Sequence, residues 1–225
     1  MINMTNLKWI NKLNRKFGRF AISNLMFYIV ATMLFVFILD FLLPDLGVHS
    51  FIYFDRNLIM QGQVWRIITF IFLPPNSSIV FIAFALYFYY WIGSSLEKSW
   101  GSFYFNVFYL CGILGTIIGG IITGYAVNYY LNLSLFLAFA LLYPNEVIML
   151  FFVIPVKVKF LGIINAVILA GMLIIGNFAD KMSIVFAFLN IILFFFSDFM
   201  KIIKFKSKYY KTRRNFKVQM RNNKK

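Results

Sequence analysis

Residues 78–123 read SIVFIAFALYFYYWIGSSLEKSWGSFYFNVFYLCGILGTIIGGIIT. Two apolar runs, 78–96 and 102–123, flank a short joint that holds Glu97 and Lys98. An α-helix needs about 20 apolar residues to cross the ~30 Å hydrocarbon core of a bilayer, and each run is about that long. The same reading extends outward to Ala21–Leu43 on one side, and to 129–143, 160–176 and 182–200 on the other. That gives six spans. Val147 to Val156 is also apolar, but ten residues cannot cross. It holds Pro155 and is followed by Lys157 and Lys159, so it is expected in the interface, joining the fourth and fifth spans. The first run is too long for a signal peptide, and no small-x-small cleavage site follows it.

Composition agrees. Of 225 residues, 62% are hydrophobic and 13% charged, with a mean hydropathy of +0.81. Soluble domains average about 45–50% apolar and about 25% charged. A soluble enzyme, a disordered chain and a disulfide scaffold are therefore excluded. The lone Cys111 forms no intramolecular disulfide. The lone His49 excludes HExxH zinc sites, multi-His metal sites and bis-His haem ligation. No metal or cofactor is expected.

Charge is distributed unevenly. Residues 1–20 carry Lys8, Lys12, Arg15, Lys16 and Arg19 and no acid, with Trp9, Leu13, Phe17 and Phe20 at helical spacing. That pattern predicts a basic amphipathic segment in the headgroup layer. The membrane domain follows over 21–200, and 201–225 form a basic tail. With both termini cytoplasmic, 19 of the 22 Lys and Arg fall inside, leaving Arg56, Arg66 and Lys181 outside. The positive-inside rule favours that arrangement. The net charge of +15 is chiefly this orientation signal. Attraction of the tail to anionic lipid is a sharper reading, and nucleic acid is not an expected partner.

Residues 44–64 make a long connection mixing aromatic and charged residues, as a loop half in the outer interface would. Trp65 and Arg66 close it. Trp favours the headgroup layer, and an Arg there can anchor the loop through several donors. The third span carries Gly112, Gly115, Gly119, Gly120 and Gly124, including two GxxxG patterns. Small residues let helix backbones approach in lipid, which predicts a tightly packed central helix. Ser134 and Ala138 on the fourth span are the expected partner surface.

The motifs GQVWRIIT (62–69) and YWIGSSLEKSWGS (90–102) resemble the rhomboid-like superfamily. The first resembles the Trp-Arg motif that closes that family's long loop. The second, through Gly93, Glu97 and Gly101, resembles its junction between the second and third spans. The resemblance covers roughly 20–200. It implies an all-α, six-transmembrane-helix bundle with both termini cytoplasmic.

Active rhomboids are intramembrane serine proteases with a Ser on the fourth span, a His base on the sixth, and a His and an Asn on the second. Carried over, these positions are Ser134, Phe188, Phe81 and Ala85, and no His follows residue 49. A serine hydroxyl needs an adjacent base to act as a nucleophile. Base assistance typically contributes about 10²–10⁴-fold. The resemblance therefore implies a proteolytically inactive pseudoprotease of the derlin-like kind. Such proteins sit in the lipid bilayer and bind or handle transmembrane segments of client proteins. An atypical endopeptidase using Ser134 and a membrane scaffold with a lipid- or partner-recruiting tail are the alternatives. Residue usage rich in Phe, Ile, Asn and Lys points to an AT-rich genome, and a bacterial plasma membrane is the expected location.

Overall fold

The computed structural model describes residues 8–75, 78–150, 154–196 and 200. The basic tail 201–225 and the first seven residues lie outside them. Helix α1 (Lys8–Phe17) buries Ile10 alone, while Trp9, Leu13 and Phe17 stay exposed. Its side is held by Tyr104, whose hydroxyl donates to Asn11 Oδ1 (2.6 Å), and by the Trp9 ring against Phe194. The exposed apolar stripe is left for the membrane boundary, as an amphipathic helix on a bundle requires.

The first span begins later than Ala21. A 3₁₀ turn (Gly18–Phe20) leads to Asn24 in the left-handed region (φ 55°), and α2 runs Leu25–Leu42. The connection that follows is ordered into α3 (Val48–Ile52), β1 (Phe54–Asp55), α4 (Arg56–Met60) and α5 (Arg66–Thr69). Helices α6 (Ile79–Trp100) and α7 (Ser102–Thr123) come next, then β2 (Tyr125–Ala126) and α8 (Tyr129–Leu142). A hairpin of β3 (Val147–Leu150) and β4 (Ile154–Lys157) leads into α9 (Val158–Ile175), and α10 covers Phe178–Phe196.

Among the described residues, five helices, α2, α6, α7, α9 and α10, are long and apolar enough to cross a membrane. The structure is 80% helical, so the chain is an all-α multi-pass membrane protein. The fourth apolar run, expected as a span over 129–143, forms a helix shorter than the other five. Helix α8 has 14 residues, which at 1.5 Å per residue is about 21 Å, short of the hydrocarbon core. It is enclosed instead, with Tyr130, Leu131, Asn132 and Ser134–Phe139 all buried against α6, α7 and α9. A helix apolar on every side is one buried on every side.

Within the Val147–Val156 segment, of which 151–153 lie outside the described residues, β3 pairs antiparallel with β4, Val147 opposite Lys157 and Met149 opposite Pro155. Pairing satisfies backbone groups that a segment too short to cross would otherwise leave open near the membrane.

Candidate functional site

Three sets of side chains give this bundle its form. The first is the joint between α6 and α7. Glu97 is buried, and its Oε1 accepts the Asn24 backbone N–H (2.8 Å) and the Ser102 hydroxyl (2.6 Å). One carboxylate thus fixes the start of α2 and the start of α7. Gly101 makes the turn between α6 and α7 with φ +89°, a conformation that disfavours a side chain. Gly93, one turn before Glu97, lies so close to the Met26 side chain that a Cβ would overlap it.

The second set holds the ordered connection at the other end. Arg66 is 4% exposed. Its Nε donates to Gln63 Oε1 (2.7 Å), another guanidinium nitrogen donates to the Tyr53 carbonyl (2.9 Å), and the cation faces the Tyr53 ring at 4.7 Å. Trp65 Nε1 donates to the Phe51 carbonyl (3.1 Å). Strands β1 and β2 pair Phe54 with Ala126, tying this connection to the end of α7. Asn128 donates to the carbonyls of Ile71 (2.9 Å) and Leu73 (2.7 Å). Tyr130 donates to Asp180 Oδ1 (2.9 Å) at the start of α10. Burial, with Asp180 and Tyr53 close by, pushes the Tyr125 phenol above its usual range.

The third set is the glycine stripe of α7. Ser134 and Ala138, the expected partner surface, are both buried. A Cβ at Gly112 would meet Leu131 and Asn190, one at Gly115 or Gly119 would meet Phe186, and one at Gly120 would meet Ala126 and Phe54. The stripe is a seat chiefly for α10 and for the aromatic plug of the loop. Gly124 takes φ +93° and closes the helix ahead of β2. Asn190 donates to the Phe108 carbonyl (3.3 Å), joining α10 to α7.

The positions carried over by the resemblance lie on α6, α8 and α10. Ser134 is 1% exposed, and its hydroxyl donates to the Leu131 carbonyl one turn back (2.7 Å). Phe188 is half-buried and shares a cavity with Leu137; Ala85 is half-buried and Phe81 is exposed. His49 sits exposed on α3, its backbone N–H on Asp40 Oδ1 (3.3 Å). Two residues before Ser134 on α8, Asn132 is also buried. The Asn132 Oδ1 and Tyr109 hydroxyl are buried without a hydrogen-bond partner among the described residues. None of these neighbours is a base at neutral pH. Among the described residues no group of three His, Cys, Asp or Glu could hold a metal ion.

Asn24, Ser102, Asn128 and the Tyr130–Asp180 pair were not legible as site-forming residues. The only signal they carry is a polar residue standing next to a long apolar run. No protein-family profile matches the chain, and comparison with curated proteins finds no match.

Proposed function

We propose that the chain is a rhomboid-like bundle of six crossings, degenerate at the catalytic positions, that holds transmembrane segments of other membrane proteins. One observation carries this reading. Where rhomboid proteases keep a base and oxyanion donors, this chain has Phe188, Phe81 and Ala85, and the Ser134 hydroxyl is already bonded to Leu131.

The buried Arg66 anchor and the Glu97 joint support the family part of the reading, since they use the residues that carry the resemblance. A cleft of about 320 Å³ between α6 and the β3–β4 hairpin supports the client part. Phe84, Tyr87, Phe88 and Trp91 line one side of it, Val147 and Met149 the other. Rigid aromatic rings facing lipid give an incoming helix large contact area at little entropic cost. Both termini are cytoplasmic in this reading, in a bacterial plasma membrane, with α8 counted as the fourth crossing; the basic asymmetry supports that orientation.

Two measurements on the full chain test it. Fluorophosphonate labelling of the wild type is expected to match Ser134→Ala, with an active rhomboid labelled in parallel. Labelling lost only in the variant means an activated serine and ends the non-catalytic reading. A photo-crosslinking residue at Tyr87 is expected to capture other membrane proteins in cells, and one at the exposed Phe35 of α2 is not. Equal capture at both positions removes the client cleft.

A further inference from the structure

A groove opens on the flank of the bundle where α8, α9 and α10 meet. Its volume is about 420 Å³, within the ~300–1,000 Å³ of ordinary ligand sites. Leu137 and Ala140 of α8, Gly162 and Ala166 of α9, and Phe188 and Ile192 of α10 line it. The only charged lining residue is Lys159.

The arrangement along α9 is directional. Lys159, Gly162, Ile163 and Ala166 follow the i, i+3, i+4, i+7 spacing of a single helix face. At Gly162 the helices approach so closely that a Cβ would lie 2.7 Å from the Ala140 Cβ. Small residues on both helices therefore hollow the slot. Lys159 stands in the first turn of α9, where the positive end of the helix dipole adds to its charge. That turn is pinned at the end of the bundle: Val158 N–H donates to the Glu146 carbonyl (2.9 Å) and Lys159 N–H to the Pro144 carbonyl (3.1 Å). The ammonium lies 5.0 Å from the Phe160 ring and is exposed.

An apolar slot along a membrane helix with a cation at its mouth matches a molecule that is hydrocarbon for most of its length and anionic at one end. We infer that this groove binds an anionic glycerophospholipid, one acyl chain along the lining and the phosphate at Lys159. Its lining shares no residue with the α6 cleft, and it stands whether or not the chain handles clients.

The test uses the full chain in phosphatidylcholine vesicles. Trace phosphatidylglycerol or phosphatidylcholine carrying a diazirine on the acyl chain is photolysed, and labelled peptides are located by mass spectrometry. Phosphatidylglycerol is expected to label 162–166 and 188–192 about five-fold more than phosphatidylcholine, the worth of one basic residue near a headgroup. Lys159→Gln is expected to bring the two to parity, whereas Lys98→Gln, exposed at the same end but outside the groove, leaves the preference intact. Ala166→Phe, which fills the slot, is expected to reduce both labels. Equal labelling in the wild type overturns the inference, leaving a non-selective crevice. A preference that survives Lys159→Gln overturns it too, assigning the selectivity to the basic surface at large. Label elsewhere on the bundle with none in the groove means another occupant, a partner helix included.

Discussion

Arg66 has a guanidinium at 4% exposure in a chain with few charges, and its neighbours make that tolerable. Its fork reaches a carbonyl and an amide oxygen, and the Tyr53 ring covers its face. Hydrogen bonds to charged groups contribute about 1.5–3 kcal/mol each, so Arg66→Ala should destabilise the bundle by roughly 3 kcal/mol. Arg66→Lys should recover less than half of that, because one ammonium cannot reproduce the fork. Thermal unfolding in detergent reads both, and equal stability of the two variants would remove the fork from the account. Glu97 gives a complementary prediction. Both donors meet the same oxygen, which glutamine retains. Glu97→Gln should therefore cost only about 1 kcal/mol of charge assistance, while Glu97→Ala strands two buried donors at about 2–4 kcal/mol. An equally severe Gln variant would mean that the charge itself is what holds the joint. The anchoring part of Arg66 is readable from residue type, since several donors at the foot of an apolar run have few alternatives. The partners of Asn24 and Asn128 are not, because an amide or a backbone N–H accepts whatever acceptor the tertiary fold delivers.

Among elements, the long apolar runs are legible because span length is set by the bilayer, and all five long helices overlap their runs with ends that differ by up to about four residues. The start of α2 shifts because Glu97, distant in sequence, captures the Asn24 N–H and forms the turn there. The β3–β4 hairpin is illegible for a related reason: its register depends on a partner strand, and its apolar residues show neither helical nor alternating periodicity. The glycine stripe shows what a pattern can and cannot tell. Five small residues announce close packing, but the neighbour is fixed only by the assembled bundle. Gly120 and Gly119 separate the two cases. An added Cβ at Gly120 lies 2.7 Å from Phe54 and from Ala126, both fully enclosed. Gly120→Ala should cost about 1–3 kcal/mol by overpacking. At Gly119 the nearest atom is 3.2 Å away, on the Phe186 ring. Gly119→Ala should lie near neutral, since a helix gains up to about 1 kcal/mol when Ala replaces Gly. Unfolding midpoints of the two variants side by side decide this, and a larger loss at Gly119 would contradict the packing described.

On the scale of the whole molecule, the chain reverses at two levels only. Asn11, Ile22, Glu97, Ser102 and Tyr143 meet partners at one end, and Tyr53, Arg56, Asn128 and Asp180 meet theirs at the other. Helix α8 lies between those levels, although alone it is too short to cross, and both its ends reach them through flanking segments: Asn128 before it and the Tyr143 hydroxyl after it, paired with Ser99. An even number of crossings returns a chain to its starting side, and Trp9 packing on Phe194 places α1 beside the end of α10. The lysine-rich end should then face the cytoplasm, because basic segments resist translocation. This is open to direct measurement in a background with Cys111 replaced by Ala. Met60→Cys, at an 81% exposed position on α4, should react with a membrane-impermeant maleimide in intact cells. Lys8→Cys on α1 should react only after permeabilisation. Reaction of both in intact cells would place the two ends of the bundle on one side of the membrane, which the contacts above forbid. The opposite pattern, Lys8→Cys alone, would invert the orientation and move the Lys159 end of the lipid groove to the outer leaflet.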